Sequence, residues 1–111
     1  MFYFISFVTS KLYWSDRGKI PRISSANLDG SDVRVLASGE TGEMSWPLDV
    51  VVDPHEGRVY WIDSKLHTLE TVSVTGKDRR VLHKFSHQGN QASITYINNI
   101  WKIDWKMDLI Y

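Results

Sequence analysis

Leu12-Tyr13-Trp14-Ser15-Asp16 returns as Val59-Tyr60-Trp61-Ile62-Asp63 and, in weaker form, as Ile100-Trp101-Lys102-Ile103-Asp104. The three aspartates are 47 and 41 residues apart. A recurrence of that length is the size of one four-stranded propeller blade, so the spacing points to a repeat architecture. A second match runs beside the first. Ile23 to Gly30 (ISSANLDG) aligns with Leu69 to Gly76 (LETVSVTG), after which Asp32, Arg34, Val35 and Leu36 fall on Asp78, Arg80, Val81 and Leu82.

Within each repeat, short β-branched and aromatic runs are separated by Gly, Pro, Asn and Asp, which is the pattern of strands and turns. No helix is expected. Leu48 to Asp53 (LDVVVD) is nearly continuous in apolar residues, as a strand buried on both faces would be, and Pro54 to Gly57 stop it. It suits the innermost strand of a blade that continues through Arg58 to Asp63, Thr68 to Val74 and Arg79 to Lys84, with Gly-bearing turns at Gly30 and Gly76. The preceding blade has its inner strand in Phe4 to Val8, and a following one begins at Ser93 to Ile97. The expected fold is all-β, about two and a half propeller blades of four antiparallel strands. The repeats run over about 11–57, about 58–98 and, in part, 99–111. Blades are closed by packing on one another, so this length leaves two blade faces open and suggests a partial product of a longer gene.

Composition sets outer limits. The chain has 111 residues, 42% hydrophobic and 23% charged, which fits a single ordered unit and not a disordered one. Thirteen Lys and Arg balance thirteen Asp and Glu, so no overall field draws the chain to nucleic acid or an anionic membrane. The absence of cysteine removes disulfides, thiolate zinc sites and a cysteine nucleophile together. Met1 to Ser10 (MFYFISFVTS) has no basic start and falls short of the roughly 20 apolar residues a membrane span needs. It reads as a strand.

Tyr-Trp-x-Asp at this period, followed by Ala26-Asn27-Leu28-Asp29-Gly30-Ser31, resembles the YWTD, or class B, repeat of the low-density lipoprotein receptor family. The likeness tightens at Trp46-Pro47 and at Tyr60-Trp61-Ile62-Asp63-Ser64-Lys65-Leu66-His67, which is similar to the later blades of the low-density and very-low-density lipoprotein receptors. It extends over Lys11 to Leu82 and more loosely over Ala92 to Trp105, about three quarters of the chain. Three positions depart from the family pattern. Leu48-Asp49 replaces a common Asn-Gly, Arg17 replaces the usual Trp before Gly18, and Ile100 to Asp104 lacks the regular Tyr-Trp. The resemblance implies a six-bladed propeller in an endocytic receptor at the cell membrane, on its extracellular or endosomal side. Signal and anchor would lie outside this segment, beside cysteine-rich ligand-binding modules.

The repeated residues read first as scaffold. Tyr13, Trp14, Tyr60 and Trp61 supply large apolar area to wedge between blades, and Asp16, Asp63 and Asp104 suit buried acceptors of backbone N–H groups. An active site is not normally repeated once per blade. Asp49, Asp53, Glu56 and Asp63 lie near one another in sequence, but the strand reading separates them, so no metal or cofactor is expected.

His67 is the sharpest functional candidate. In the receptors it resembles, the propeller is held to displace bound ligand in the acidified endosome, and a matching histidine contributes. The resemblance therefore implies that protonated His67 pairs with acidic groups on a partner module, against the plainer reading of a surface strand residue. Trp46 suits either packing at the strand entry or, with Lys65, a partner-binding face. His83 and His87 stand four apart, which joins two ligands on a helix but leaves them about 13 Å apart on a strand. Lys77, Arg79, Arg80 and Lys84 form a basic stretch interrupted by Asp78, read as a solvated face.

The implied activity is protein binding, with lipoprotein-like ligands and the parent receptor's cysteine-rich modules as partners and no direct membrane contact. Two other readings stay open. One is a propeller of extracellular-matrix or Wnt co-receptor type, and the other a lactonase-like propeller enzyme, which would need carboxylates converging on a central metal. No phosphate loop, serine elbow or His-Glu-x-x-His motif is present.

Overall fold

The computed structural model of the chain describes residues 2–6, 9–40, 42–85, 91–97 and 100–106, with side chains for 9–40 and 42–85. Among these residues every regular element is a strand. The first sheet runs β1 (Phe2–Ser6), β2 (Lys11–Asp16), β3 (Arg22–Asn27) and β4 (Arg34–Ser38). The second runs β5 (Pro47–Asp53), β6 (Arg58–Asp63), β7 (Thr68–Ser73) and β8 (Arg80–Lys84). Each is a meander in chain order with antiparallel neighbours, and β9 (Gln91–Ile97) pairs with β10 (Ile100–Lys106) in a third, two-stranded sheet.

Register follows the repeat. Tyr13 opposes Ser25 and Ser15 opposes Ile23, which sets Tyr13 and Ile23 on one face of the first sheet. Val59 opposes Val72 and Trp61 opposes Glu70, which sets Val59, Trp61 and Val72 on one face of the second. These two faces meet. Tyr13, Ile23, Leu36 and Ala37 form a single buried cluster with Met44, Val50, Val52, Val59, Trp61 and Val72. Each such apolar side chain taken fully from water stabilises the fold by about 1.5–3 kcal/mol, so the joint between sheets is where the stability lies. The innermost strand β5 packs against β1 and β2 on one side and β9 on the other, which explains its unbroken apolar run.

The expected strands appear with small shifts at their ends. The first inner strand is Phe2–Ser6, not Phe4 to Val8, and residues 7–8 lie outside those described. β5 starts one residue early, at Pro47, and its pairing with β6 slips between Leu48 and Val51. Asp49 sits in this bulge with φ 49°. The position demands a left-handed backbone, which Gly or Asn meets most easily and Asp tolerates better than most side chains, so the departure from Asn-Gly keeps the geometry.

The hairpin turns repeat in detail. Gly30 (φ 86°) and Gly76 (φ 83°) donate to Asn27 and Ser73 carbonyls, each at 2.9 Å, and Asp32 and Asp78 follow with φ 55° and 56°. Both β3–β4 and β7–β8 carry a bulge at the same place, with Leu36 and Leu82 as the extra residues. Leu36 is buried under the second sheet near Gly76, whereas Leu82 is exposed.

Candidate functional site

The turns 17–21 and 64–67 and the connection 39–46 all lie at the end of the two sheets where β2, β4 and β6 finish. Asp63 organises this end. Its fully buried carboxylate accepts the backbone N–H groups of Ser45 (2.7 Å), Trp46 (3.2 Å to each oxygen), Lys65 (3.0 Å) and Leu66 (2.9 Å). Four oriented donors replace the water that a buried charge would lose. The Ser64 N–H then donates to the Trp46 carbonyl at 3.0 Å. The 64–67 turn and the residues leading into β5 are therefore one hydrogen-bonded unit.

That unit presents Trp46. The residue is 50% exposed at the strand entry. The Arg17 guanidinium lies 5.3 Å from the ring centroid and the Lys65 ammonium 5.9 Å from it. Both distances suit cation–π attraction, worth about 0.5–1 kcal/mol at exposed sites. Arg17 comes from the β2–β3 turn and Lys65 from the β6–β7 turn, so an exposed aromatic with two cations spans the junction of both sheets.

His67 is half-buried and belongs to the turn before β7, not to a strand. Its φ of 56° is left-handed, a conformation in which His is one of the enriched side chains. Its carbonyl accepts the Phe85 N–H at 2.7 Å, tying the turn to the end of β8. It lies two residues from Lys65, on the same turn.

The repeated motif residues divide by strand alternation. Tyr13 and Trp61 are buried in the shared cluster, while Trp14 and Tyr60 lie on the opposite faces of their sheets and are partly exposed. Burial pushes the Tyr60 phenol above its ordinary value, and the Asp53 carboxylate adds to the shift. Asp16 occupies the place of Asp63 but is half-exposed, accepting the Gly18 N–H at 2.9 Å and facing Arg22 at 4.0 Å. The Gly18 bond repeats the one that Lys65, 47 residues later, makes to Asp63. Asp104 falls in β10, opposite Ser93, and its side chain lies outside those described. His83 lies on a strand, and His87 lies outside the described residues.

Two residues read from sequence as part of a solvated stretch, or not singled out at all, form an ion pair at the seam. The Arg79 guanidinium donates to the carbonyls of Ser38 (3.0 Å) and Glu43 (3.1 Å) and to the Glu70 carboxylate (3.2 Å), and stands 5.6 Å from the Trp61 ring centroid. The Glu70 side chain is 2% exposed and also accepts the Thr68 hydroxyl at 2.7 Å. In the first repeat the same positions hold Ser24 and Val33. A charged pair that breaks the repeat was the available signal.

This geometry defines a segment of a YWTD-type β-propeller, with blades packed face to face and a shared rim of turns. The low-density lipoprotein receptor repeat class B matches residues 10–54 and 57–92, and the chain belongs to that family. Its repeat unit begins at β2 and ends with β5, one strand out of phase with the hydrogen-bonded sheets. The chain is 35% identical over 97 residues to a vitellogenin receptor of Solenopsis invicta, covering 86% of this chain and 5% of the relative. It is 37% identical over 71 residues to the vitellogenin receptor Yl of Drosophila melanogaster, covering 64% and 3%. A human low-density lipoprotein receptor-related protein 5-like protein is 40% identical over 72 residues, covering 65% and 27%. The chain thus spans only a small part of these relatives. A nidogen/laminin complex contains a chain of the same fold, with TM-score 0.74 and 22% identity, over 90% of this chain and 36% of that one.

Proposed function

We propose that this segment is a non-catalytic, protein-binding part of an endocytic lipoprotein-receptor-like protein, and that Trp46, Lys65 and His67 form its partner-facing edge. The observation that carries the reading is the half-exposed Trp46 ring between the Arg17 and Lys65 cations, held in place by a buried carboxylate. Exposed aromatics and arginines are the residues that most often dominate protein interfaces. Two relatives are named as vitellogenin receptors, which supports a large lipid-carrying protein as the ligand of the parent protein. Acidic cysteine-rich modules of that parent suit the basic edge as an intramolecular partner.

His67 makes the edge sensitive to acid. Histidine gains its charge between neutral and endosomal pH. Lys65 lies on the same turn, and Lys84 is in register with Thr68 beside it, so protonation adds a third positive charge to an already basic strip. The edge then holds an acidic module more tightly as pH falls, and ligand is released. Immobilised chain is titrated with purified vitellogenin and, separately, with a calcium-loaded pair of cysteine-rich receptor repeats at pH 7.4 and 5.5. The repeat pair is expected to bind at least several-fold tighter at the lower pH, and His67→Asn to remove most of that gain. Equal affinity at both pH values contradicts the acid-sensitive reading.

A further inference from the structure

We propose that Arg79 is a positioning residue for Trp46, acting through the connection between the two blades. Residues 39–46 join β4 to β5, and Trp46 ends them. The Asp63 carboxylate fixes only the last two N–H groups of this segment. Arg79 adds two further anchors from the other side. One guanidinium nitrogen takes the carbonyl of Ser38, immediately before the segment, at 3.0 Å, and the other takes that of Glu43 within it at 3.1 Å. Those two anchors bracket the tight stretch where the Gly39 N–H donates to Pro21 and the Gly42 N–H donates to Gly39.

The guanidinium is itself held in two ways. Glu70, almost fully buried, accepts one of its N–H groups at 3.2 Å, and the Trp61 ring lies under it at 5.6 Å. A planar fork with separated donors is what this arrangement uses, since two carbonyls and a carboxylate are met from different edges of one group. The pair stands outside the repeat, because the equivalent positions are Val33, 62% exposed, and Ser24. A feature needed for every blade would recur in both repeats. Among the described residues it occurs once, beside the connection that carries Trp46 to the rim.

Hydrogen–deuterium exchange on the full chain tests the proposal. Arg79→Met keeps the aliphatic stem against Trp61 and removes all three hydrogen bonds. Amides of 42–46 are expected to exchange about tenfold faster, while those of β6 and β7 keep their protection. Glu70→Gln, which keeps the shape and lowers the charge, raises exchange over the same residues by a smaller factor. Arg79→Lys does not restore protection, since an ammonium cannot span both carbonyls. Unchanged exchange at 42–46 overturns the proposal, and so does an equal rise across β6 and β7, which would make Arg79 a general stabilising residue. If Arg79→Met fails to fold, the Glu70→Gln result decides by the same two criteria. The exchange readout stands apart from partner binding, so a failure of the reading of Trp46 as a binding residue and a failure of this one are distinguishable.

Discussion

The Asp63 carboxylate receives the Trp46 N–H at 3.2 Å to each of its oxygens, so a fully buried acid holds an aromatic that is half in solvent. A residue shared by the repeats as scaffold thereby sets the position of one that is not. The scaffold and the candidate site meet in a single hydrogen-bonded turn.

Asp63→Asn tests that coupling. An amide can accept with one oxygen only and turns an N–H toward a donor, so even with its oxygen in the place of Oδ1 the Ser45 bond is lost and two donors face each other in a buried place. Urea denaturation should show a loss of about 3 kcal/mol for Asp63→Asn. The equivalent Asp16→Asn sits half in water with one local bond and should cost less than about 1 kcal/mol. Equal losses at the two positions would contradict the difference in environment.

Trp46 and Trp61 should behave oppositely. Trp61 is fully buried at the seam, and Trp61→Ala should destabilise by about 3–5 kcal/mol. Its indole N–H has no hydrogen-bond partner among the described residues, so Trp61→Phe removes an unpaired donor along with some volume and should cost under about 2 kcal/mol. Trp46→Ala should change stability by less than about 1 kcal/mol, because the ring is half in solvent. Thermal or urea unfolding of the three variants checks the order.

Backbone sign decides which substitutions at His67 are informative. With φ at 56°, His67→Asn and His67→Gly keep the turn, whereas His67→Val forces a β-branched side chain into the left-handed region at about 1–2 kcal/mol. A loss of binding in His67→Asn with unchanged unfolding midpoint belongs to the imidazole. The same loss in His67→Val reports the turn as well.

Tyr60 gives an alkaline signature. Its phenol is raised in the folded chain by burial and by Asp53, so the neutral form is favoured by folding. The associated stability is present below the ordinary tyrosine value, about 10, and is lost as pH rises through the higher folded value. Tyr60→Phe should flatten the fall in stability above about pH 10 in unfolding experiments at a series of pH values. An unchanged pH slope would contradict the shift.

Much of this fold was readable from the residues. The Tyr-Trp-x-Asp recurrence, the Gly30 and Gly76 turns and the apolar run at Val50 to Val52 each carry a local cause, and the strands follow them closely. The bulge at Asp49 was not visible, because a left-handed residue inside a strand is set by pairing with β6 and not by its own type. The site was less legible. Arg17 lies 29 residues before Trp46 in sequence and reaches it only because two sheets share a rim. Arg79 read as one cation in a solvated basic run, and its buried partner Glu70 looked like an ordinary strand position. Comparing the two repeats for charged residues that fail to recur would have marked both.

The central claim is that the rim around Trp46 binds protein. The most direct test titrates the immobilised chain and its Trp46→Ala and Lys65→Ala variants with the calcium-loaded cysteine-rich repeat pair at pH 5.5, after unfolding curves show that each variant keeps its fold. The account predicts at least about a tenfold weaker affinity for Trp46→Ala, as for an aromatic anchor at an interface centre, and a smaller, salt-sensitive loss for Lys65→Ala. Folded variants that bind as tightly as the original chain would contradict it.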